Sequence, residues 1–442
     1  DLCRFCVPTG VYWMSALNLK VLMIAEHCNP DWVSVPLVAY NFYREISQIV
    51  DVTLVTHGRN REAFEKYSVH QEITYIDESP IAKKYHRLIS NLIEKGRANW
   101  PLYLALSYPI YAEFNRNAYR LFSDRVKQGE FDVVHSITPM MPRYPVSMVR
   151  ACRKTPFLLG PVNGGVPFPK GFQETARKEK AYWNFLKPLG RYLVPGYIET
   201  YKKADRILSG STYTLNMVKE LFSLEDGKID LFFENGISKS FIRQRPKQQL
   251  GSKVELLFVG RLVPYKGADL VIEAIGKLDP TIRSQLALTI VGDGSERGEL
   301  ENQVHALNLK ETVKFAGWVK QKETYEYYSK ADIFCFPSIR EFGGAVVMEA
   351  MACGLPCIVV NNGGIAEYVN DETGFKIEPV NRAYVVDELA RKIELMVTNK
   401  DLRESMSRKA IEYAHEFEWS AKARKIVEIY QELIAQRQLI SY

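Results

Sequence analysis

Short apolar runs alternate along the chain with segments of helical length. In the first half the runs cover 20–25 (KVLMIA), 52–56, 133–136, 157–159 and 206–209. In the second half they cover 255–259 (ELLFV), 287–291, 313–315, 333–337 and 357–360. Each second-half run is followed by a turn signal and then an amphipathic stretch. Strand, loop and helix repeated in that order predict α/β architecture with parallel sheets. Two sheets of this size exceed one core of ~150 residues, so the pattern predicts two doubly wound, Rossmann-like domains. The polar segment 240–252 (SFIRQRPKQQLGS), with Pro246 and Gly251, places the boundary. The expected division is 19–245, then 246–415, then a long charged closing helix in 416–442. Residues 1–18 read as a leader or added remnant outside the fold. Two such sheets facing each other would bring the carboxyl ends of their strands to one cleft. Ligands of this architecture bind there, in the loops just after strands.

Composition narrows the class. The 442 residues are 46% hydrophobic and 25% charged, which excludes disorder, collagen and coiled coil. No run of ~18 apolar residues exists, and the longest candidate, 101–112, is too short to span a bilayer. The seven cysteines are odd in number, and Cys3-x-x-Cys6 has no second pair, so the reading is reduced thiols in a cytosol and no metal site. Residues 19–240 hold 30 Lys and Arg against 23 Asp and Glu, whereas 241–442 hold 27 against 28. The basic excess therefore belongs to the first half, as suits a face that meets an anionic partner.

Three loops after second-half strands carry the candidate chemistry. The first is Gly260-Arg261-Leu262-Val263-Pro264-Tyr265-Lys266-Gly267. Arg261 can grip two oxygens as a fork and Lys266 acts as a point charge, a pair suited to a pyrophosphate; a solvated turn is the plainer alternative. The second begins at Phe336-Pro337-Ser338-Ile339-Arg340-Glu341-Phe342-Gly343-Gly344 and opens an apolar helix that Gly354-Leu355-Pro356 ends. Amides of Phe342, Gly343 and Gly344 would cradle an anion at the positive helix end. Glu341 precedes that cradle and Glu349 lies further down the helix. Glu-x7-Glu is weak by itself, and Glu349 also reads as an ordinary helix carboxylate. The third loop, Asn361-Asn362-Gly363-Gly364-Ile365-Ala366-Glu367, again presents amides before a helix. Glu367 there also reads as a carboxylate favouring the helix start.

Cations after one strand, glycines and two glutamates after a later one, then a second Gly-Gly form an ensemble more specific than its parts. It resembles the retaining nucleotide-sugar glycosyltransferases of family 4, the glycosyl transferases group 1, which have the GT-B fold. The resemblance is strong over about 255–375 and fair over 19–254. It implies two Rossmann-like domains facing across a cleft, with a C-terminal helix crossing back to the first. It implies that Arg261 and Lys266 contact the donor diphosphate, and that Glu341 with the amides of Phe342 to Gly344 binds the transferred sugar and β-phosphate. Glu349 would hold the ribose hydroxyls. Val319, after Gly317-Trp318, falls where similar enzymes read the base through backbone. No cofactor or metal is implied; the nucleoside diphosphate sugar is a substrate, with UDP the favoured nucleotide.

The first half departs from that pattern. Relatives place a Gly-Gly loop after the first strand, where this chain has Glu26-His27-Cys28-Asn29-Pro30-Asp31-Trp32-Val33-Ser34; a Ser34 contact could substitute. Of the family's His-x-His only His135 remains, with a buried, hydrogen-bonded histidine as the alternative. Gly160-Pro161-Val162-Asn163-Gly164-Gly165 reads as a further site loop, with Asn163 and Gly164 as candidates. Two basic and apolar segments bear on partners. One is Lys83-Lys84-x-x-Arg87 with Leu88, Leu92, Ile93, Trp100 and Leu102; the other is 177–188 (RKEKAYWNFLKP). Both suit an anionic membrane surface or a lipid-diphosphate acceptor, and equally solvated helix faces. No nucleic-acid module accompanies them, so nucleic acid is excluded as a partner.

The expectation is a metal-independent, retaining hexosyltransferase. It would act on a glycan or lipid-linked acceptor in surface or exopolysaccharide synthesis, in the cytoplasm at the inner face of the plasma membrane. A small soluble acceptor, or a nucleotide-binding protein of the same fold without turnover, are the alternatives. A dehydrogenase would need Gly-x-Gly-x-x-Gly after a strand; the nearest approach, Gly292-Asp293-Gly294-Ser295-Glu296-Arg297-Gly298, has arginine at the third glycine. A phosphorylase would need a pyridoxal-binding lysine that the sequence does not mark.

Overall fold

The structure, a computed structural model, describes residues 19–67, 72–94, 106–179, 194–242 and 253–440. The leader reading of 1–18, most of 177–188 and the boundary stretch 243–252 lie outside the described residues. Among the described residues, thirteen strands form two sheets. In the first are β1 (Lys20–Ala25), β2 (Asp51–His57), β3 (Ile73–Ile76), β4 (Val133–Ser136), β5 (Phe157–Val162), β6 (Arg206–Ser209) and β7 (Ile229–Leu231). Their order is β3-β2-β1-β4-β5-β6-β7. In the second are β8 (Val254–Val259), β9 (Leu286–Val291), β10 (Val313–Gly317), β11 (Ile333–Phe336), β12 (Cys357–Val360) and β13 (Gly374–Ile377), in the order β10-β9-β8-β11-β12-β13. Every pairing within the second sheet is parallel, as are β3-β2-β1-β4-β5 in the first. The α/β fold class read from the sequence is what the chain adopts.

Parallel strands buried on both faces need continuous apolar sequence. Accordingly Val21, Leu22, Met23 and Ala25 of β1 and all of β11 and β12 are closed to solvent. β3, β7 and β13, which the apolar runs did not mark, are all edge strands of three or four residues. An edge strand has one neighbour and a wetter surface, so ITYI, IDL and GFKI carry no unbroken apolar signal.

Contacts group the described residues into two compact units. One comprises the described residues within 19–160, 194–207 and 423–440; the other comprises those within 161–179 and 208–422. The last helix, Trp419–Ile440, begins in the second and continues in the first. The loops that follow β5 and β6 count with the second unit, which decides where the candidate residues gather.

Candidate functional site

The site is assembled inside the second unit by three loops laid against one another. After β8 the chain turns through a short 3-10 segment, Pro264–Lys266, and Gly267 starts helix Ala268–Lys277 from a left-handed conformation (φ 77°). A Cβ at Gly267 would sit 2.5 Å from the Pro337 carbonyl oxygen, so glycine lets this loop touch the one after β11. The Ile339 amide then donates to the Tyr265 carbonyl oxygen at 2.8 Å. That seam brings Lys266 Nζ onto Glu341 Oε2 as an ion pair, each side chain 13% exposed. The ammonium lies 5.2 Å from the centre of the Phe336 ring and 5.3 Å from that of Tyr265. Arg261, on the rim, donates from Nη2 to the Tyr265 hydroxyl at 2.9 Å and stays exposed.

The loop after β12 supports the loop after β11 from the other side. Glu341 and Gly363 form a parallel bridge, and the Gly364 amide donates to the Glu341 carbonyl oxygen at 3.2 Å. Gly344, left-handed at φ 47°, starts helix Ala345–Ala352. Among the described residues no backbone bond uses the amide hydrogens of Phe342, Gly343 or Gly344. Unused donors at a helix start, with Lys266 beside them, can hold an anionic group. Glu367 plays a different part: its carboxylate accepts from the Thr212 amide and hydroxyl at 2.8 and 2.7 Å, tying down helix Thr212–Phe222.

A strap, the segment following β5, closes on these loops. Asn163 Nδ2 donates to Glu234 Oε1 at 2.7 Å and to the Phe342 carbonyl oxygen at 3.1 Å. Its Oδ1 accepts from the Ser211 hydroxyl at 3.0 Å. The Gly164 amide donates to Thr214 Oγ1 at 3.0 Å. Arg340 Nε donates to the Val166 carbonyl oxygen at 2.7 Å, and its guanidinium lies 5.0 Å from the Phe168 ring centre and 5.1 Å from that of Phe342. Burial lowers the Arg340 pKa, although a guanidinium stays charged. Burial also raises the pKa of Glu179, opposed by Arg261 and Arg340. The sequence reading missed Arg340, Glu179 and Glu234. The signal for Glu234 was present as a carboxylate between the apolar Leu231-Phe232-Phe233 and the turn Asn235-Gly236.

The remaining candidates fall elsewhere. Glu349 is buried in its helix, where Oε2 accepts from the Tyr328 hydroxyl at 2.9 Å. Val319 is half-buried against the second unit's core, beside the exposed Trp318. Ser34 belongs to the first unit, exposed and at φ 67° just before helix Val35–Ile46, with no side-chain capping bond. His135, also in the first unit, corrects the site reading. It is closed to solvent; Nε2 is 2.8 Å from the Gly160 carbonyl oxygen and Nδ1 is 2.7 Å from the Tyr430 hydroxyl. A carbonyl can only accept, so Nε2 carries the proton and Nδ1 accepts from Tyr430. Burial lowers its pKa to about 4. A neutral ring with both nitrogens taken has no group left for a ligand, and His135 is a packing residue.

The chain is similar to known proteins in sequence and in fold. Residues 240–413 match the family described as glycosyl transferases group 1. A D-inositol 3-phosphate glycosyltransferase of Kribbella flavida is 25% identical over 250 residues, 53% of this chain and 58% of that protein. The chain thus spans under two thirds of the length of that curated relative. Among solved structures, Anabaena HepE in complex with UDP superposes with a TM-score of 0.62 at 17% identity, covering 94% of this chain and all of that one. WaaG, a glycosyltransferase involved in lipopolysaccharide biosynthesis, superposes with a TM-score of 0.58 at 17% identity, covering 93% and 99%. Residues 240–413 therefore match the glycosyl transferases group 1 family, within a chain that shares the GT-B fold of these solved structures.

Proposed function

We propose that the protein is a glycosyltransferase that moves a hexose from a nucleoside diphosphate sugar to an acceptor hydroxyl, with retention at the anomeric carbon. The observation that carries this is the joined pair of loops that sets Lys266, Glu341 and the unused amides of Phe342 to Gly344 around one point. As the bond between the anomeric carbon and the diphosphate oxygen breaks, negative charge grows on the leaving diphosphate. Lys266, Arg261 and the helix start at Gly343 and Gly344 stabilise it, and Glu341 moves from Lys266 to the sugar hydroxyls. The acceptor oxygen bonds to the same face of that carbon and gives its proton to the departing phosphate. Fixed cations and amides aimed at developing charge are the largest lever such a site has. Because these groups supply the positive charge, transfer is expected to persist in excess EDTA, read as release of nucleoside diphosphate. Complete loss restored by Mg²⁺ would overturn the metal-independent reading. UDP is the favoured nucleotide, with support from the UDP held by the HepE structure.

The acceptor is proposed to be a glycan or lipid-linked saccharide at the cytoplasmic face of the plasma membrane. No described helix is long and apolar enough to cross a membrane. Helix Pro80–Glu94 of the first unit exposes Lys83, Lys84 and Arg87 together with Ile81 (83% exposed) and Leu88 (58%). Cations beside outward apolar side chains suit an interfacial contact, each cation contributing about 1 kcal/mol near anionic lipid. Replacing Lys83, Lys84 and Arg87 by glutamate is expected to cut cosedimentation with phosphatidylglycerol vesicles at least ~10-fold. Equal binding by wild type and variant would remove this face from the proposal.

A further inference from the structure

Glu234 is the carboxylate that the proposed reaction leaves unexplained. It follows β7, is 7% exposed, and lies against Gly343 of the anion cradle. A Cβ on Gly343 would fall 2.1 Å from Glu234 Oε1, and one on Gly210 would fall 2.0 Å from Oε2. The carboxyl group is therefore clamped between two glycines, one of them in the cradle itself. Oε1 accepts from Asn163 Nδ2, the same group that holds the Phe342 carbonyl. Oε2 is buried with no hydrogen-bond partner among the described residues. An ionised carboxylate so placed would lack a solvating donor on one oxygen, a costly arrangement that a proton relieves.

We propose that Glu234 is a positioning residue of the cradle, protonated when an anionic donor is bound and repelling that donor when ionised. The inference rests on the donor-binding reading above. The groups that face Glu234 define its balance. Lys422, whose Nζ donates to the neighbouring Phe233 carbonyl, favours the charged form. Asn163 and the residue's own backbone amide favour it too, whereas burial and, less, Glu341 favour the neutral form. Tyr368, buried alongside, brings no charge at neutral pH; its own pKa is raised well above the usual tyrosine value. Burial prevails, raising the Glu234 pKa to about 7. A diphosphate at the amides of Gly343 and Gly344 adds negative charge close to Gly343, against which Glu234 lies. Binding should then draw a proton onto Glu234, and affinity should fall as the pH rises through about 7.

The test is calorimetric titration of UDP into the whole protein between pH 6 and 8, in phosphate and in Tris, beside Glu234→Gln. The two buffers differ in ionisation heat, so their difference reports protons taken up. Titration of the UDP phosphate is common to both proteins and cancels. Wild type is expected to take up more protons near pH 7 than the variant, and to lose at least ~3-fold more affinity between pH 6 and 8. Lys422→Met, a second variant that keeps the carboxyl group, is expected to move the wild-type midpoint to higher pH. Binding with the same proton uptake and pH profile in wild type and Glu234→Gln, or with no midpoint shift in Lys422→Met, overturns this inference alone. No UDP binding at any pH overturns the donor reading and this inference with it.

Discussion

Lys266→Ala is expected to lower turnover at least ~10²-fold, the scale of losing one group that stabilises charge in the transition state. Two effects add. The substitution removes the cation beside the unused amides, and it leaves the half-buried Glu341 carboxylate without its partner. An unpaired carboxylate at the cradle would repel the diphosphate as well as being costly to bury. Steady-state kinetics with a UDP-sugar donor read both, since lost charge stabilisation lowers kcat and the new repulsion raises the donor KM. Adding Glu341→Gln to the variant should recover part of the KM and none of the kcat. Turnover near that of wild type in Lys266→Ala would remove the residue from the reaction.

Gly363→Ala is expected to destabilise the second unit by at least about 2 kcal/mol, from overpacking together with an unfavourable backbone conformation. The residue lies at φ 96°, and its added Cβ would fall 1.9 Å from the Glu341 carbonyl oxygen. That atom belongs to backbone and cannot rotate away, so the bridge between Glu341 and Gly363 must open. Glu341 would then lose the support that aims it at Lys266. A lowered urea midpoint with loss of transfer at temperatures where the chain stays folded is the expected pair of results. A wild-type midpoint would show that this approach does not hold the loop.

These two positions also show what the sequence could carry. Lys266, Glu341 and Gly343 were legible because each follows a buried strand within a few residues, where apolar run and turn chemistry mark the place. Gly363 was legible as the second Gly-Gly for the same reason. Asn163 was visible as a loop residue, yet its role depends on Glu234 and Phe342, 71 and 179 residues further along the chain. Local pattern holds no record of such pairings. His135 illustrates the same limit: a histidine ending a strand reads alike as ligand or core residue, and Tyr430, 295 residues away, decides between them. Interior strands announced themselves by burial on both faces. The edge strands β3, β7 and β13 did not, because half-wet positions tolerate Thr, Asp and Lys.

If the loops around Lys266 and Gly343 bind a nucleoside diphosphate, calorimetric titration of the whole protein with UDP, GDP, ADP and NAD⁺ in EDTA, with Lys266→Ala in parallel, will show it. Selective binding of one nucleoside diphosphate, UDP foremost, is expected, weakened at least ~10-fold in the variant, about 1.4 kcal/mol or more of lost charge-assisted contact. Binding of NAD⁺ alone, or nucleotide binding equally tight in Lys266→Ala, would contradict it.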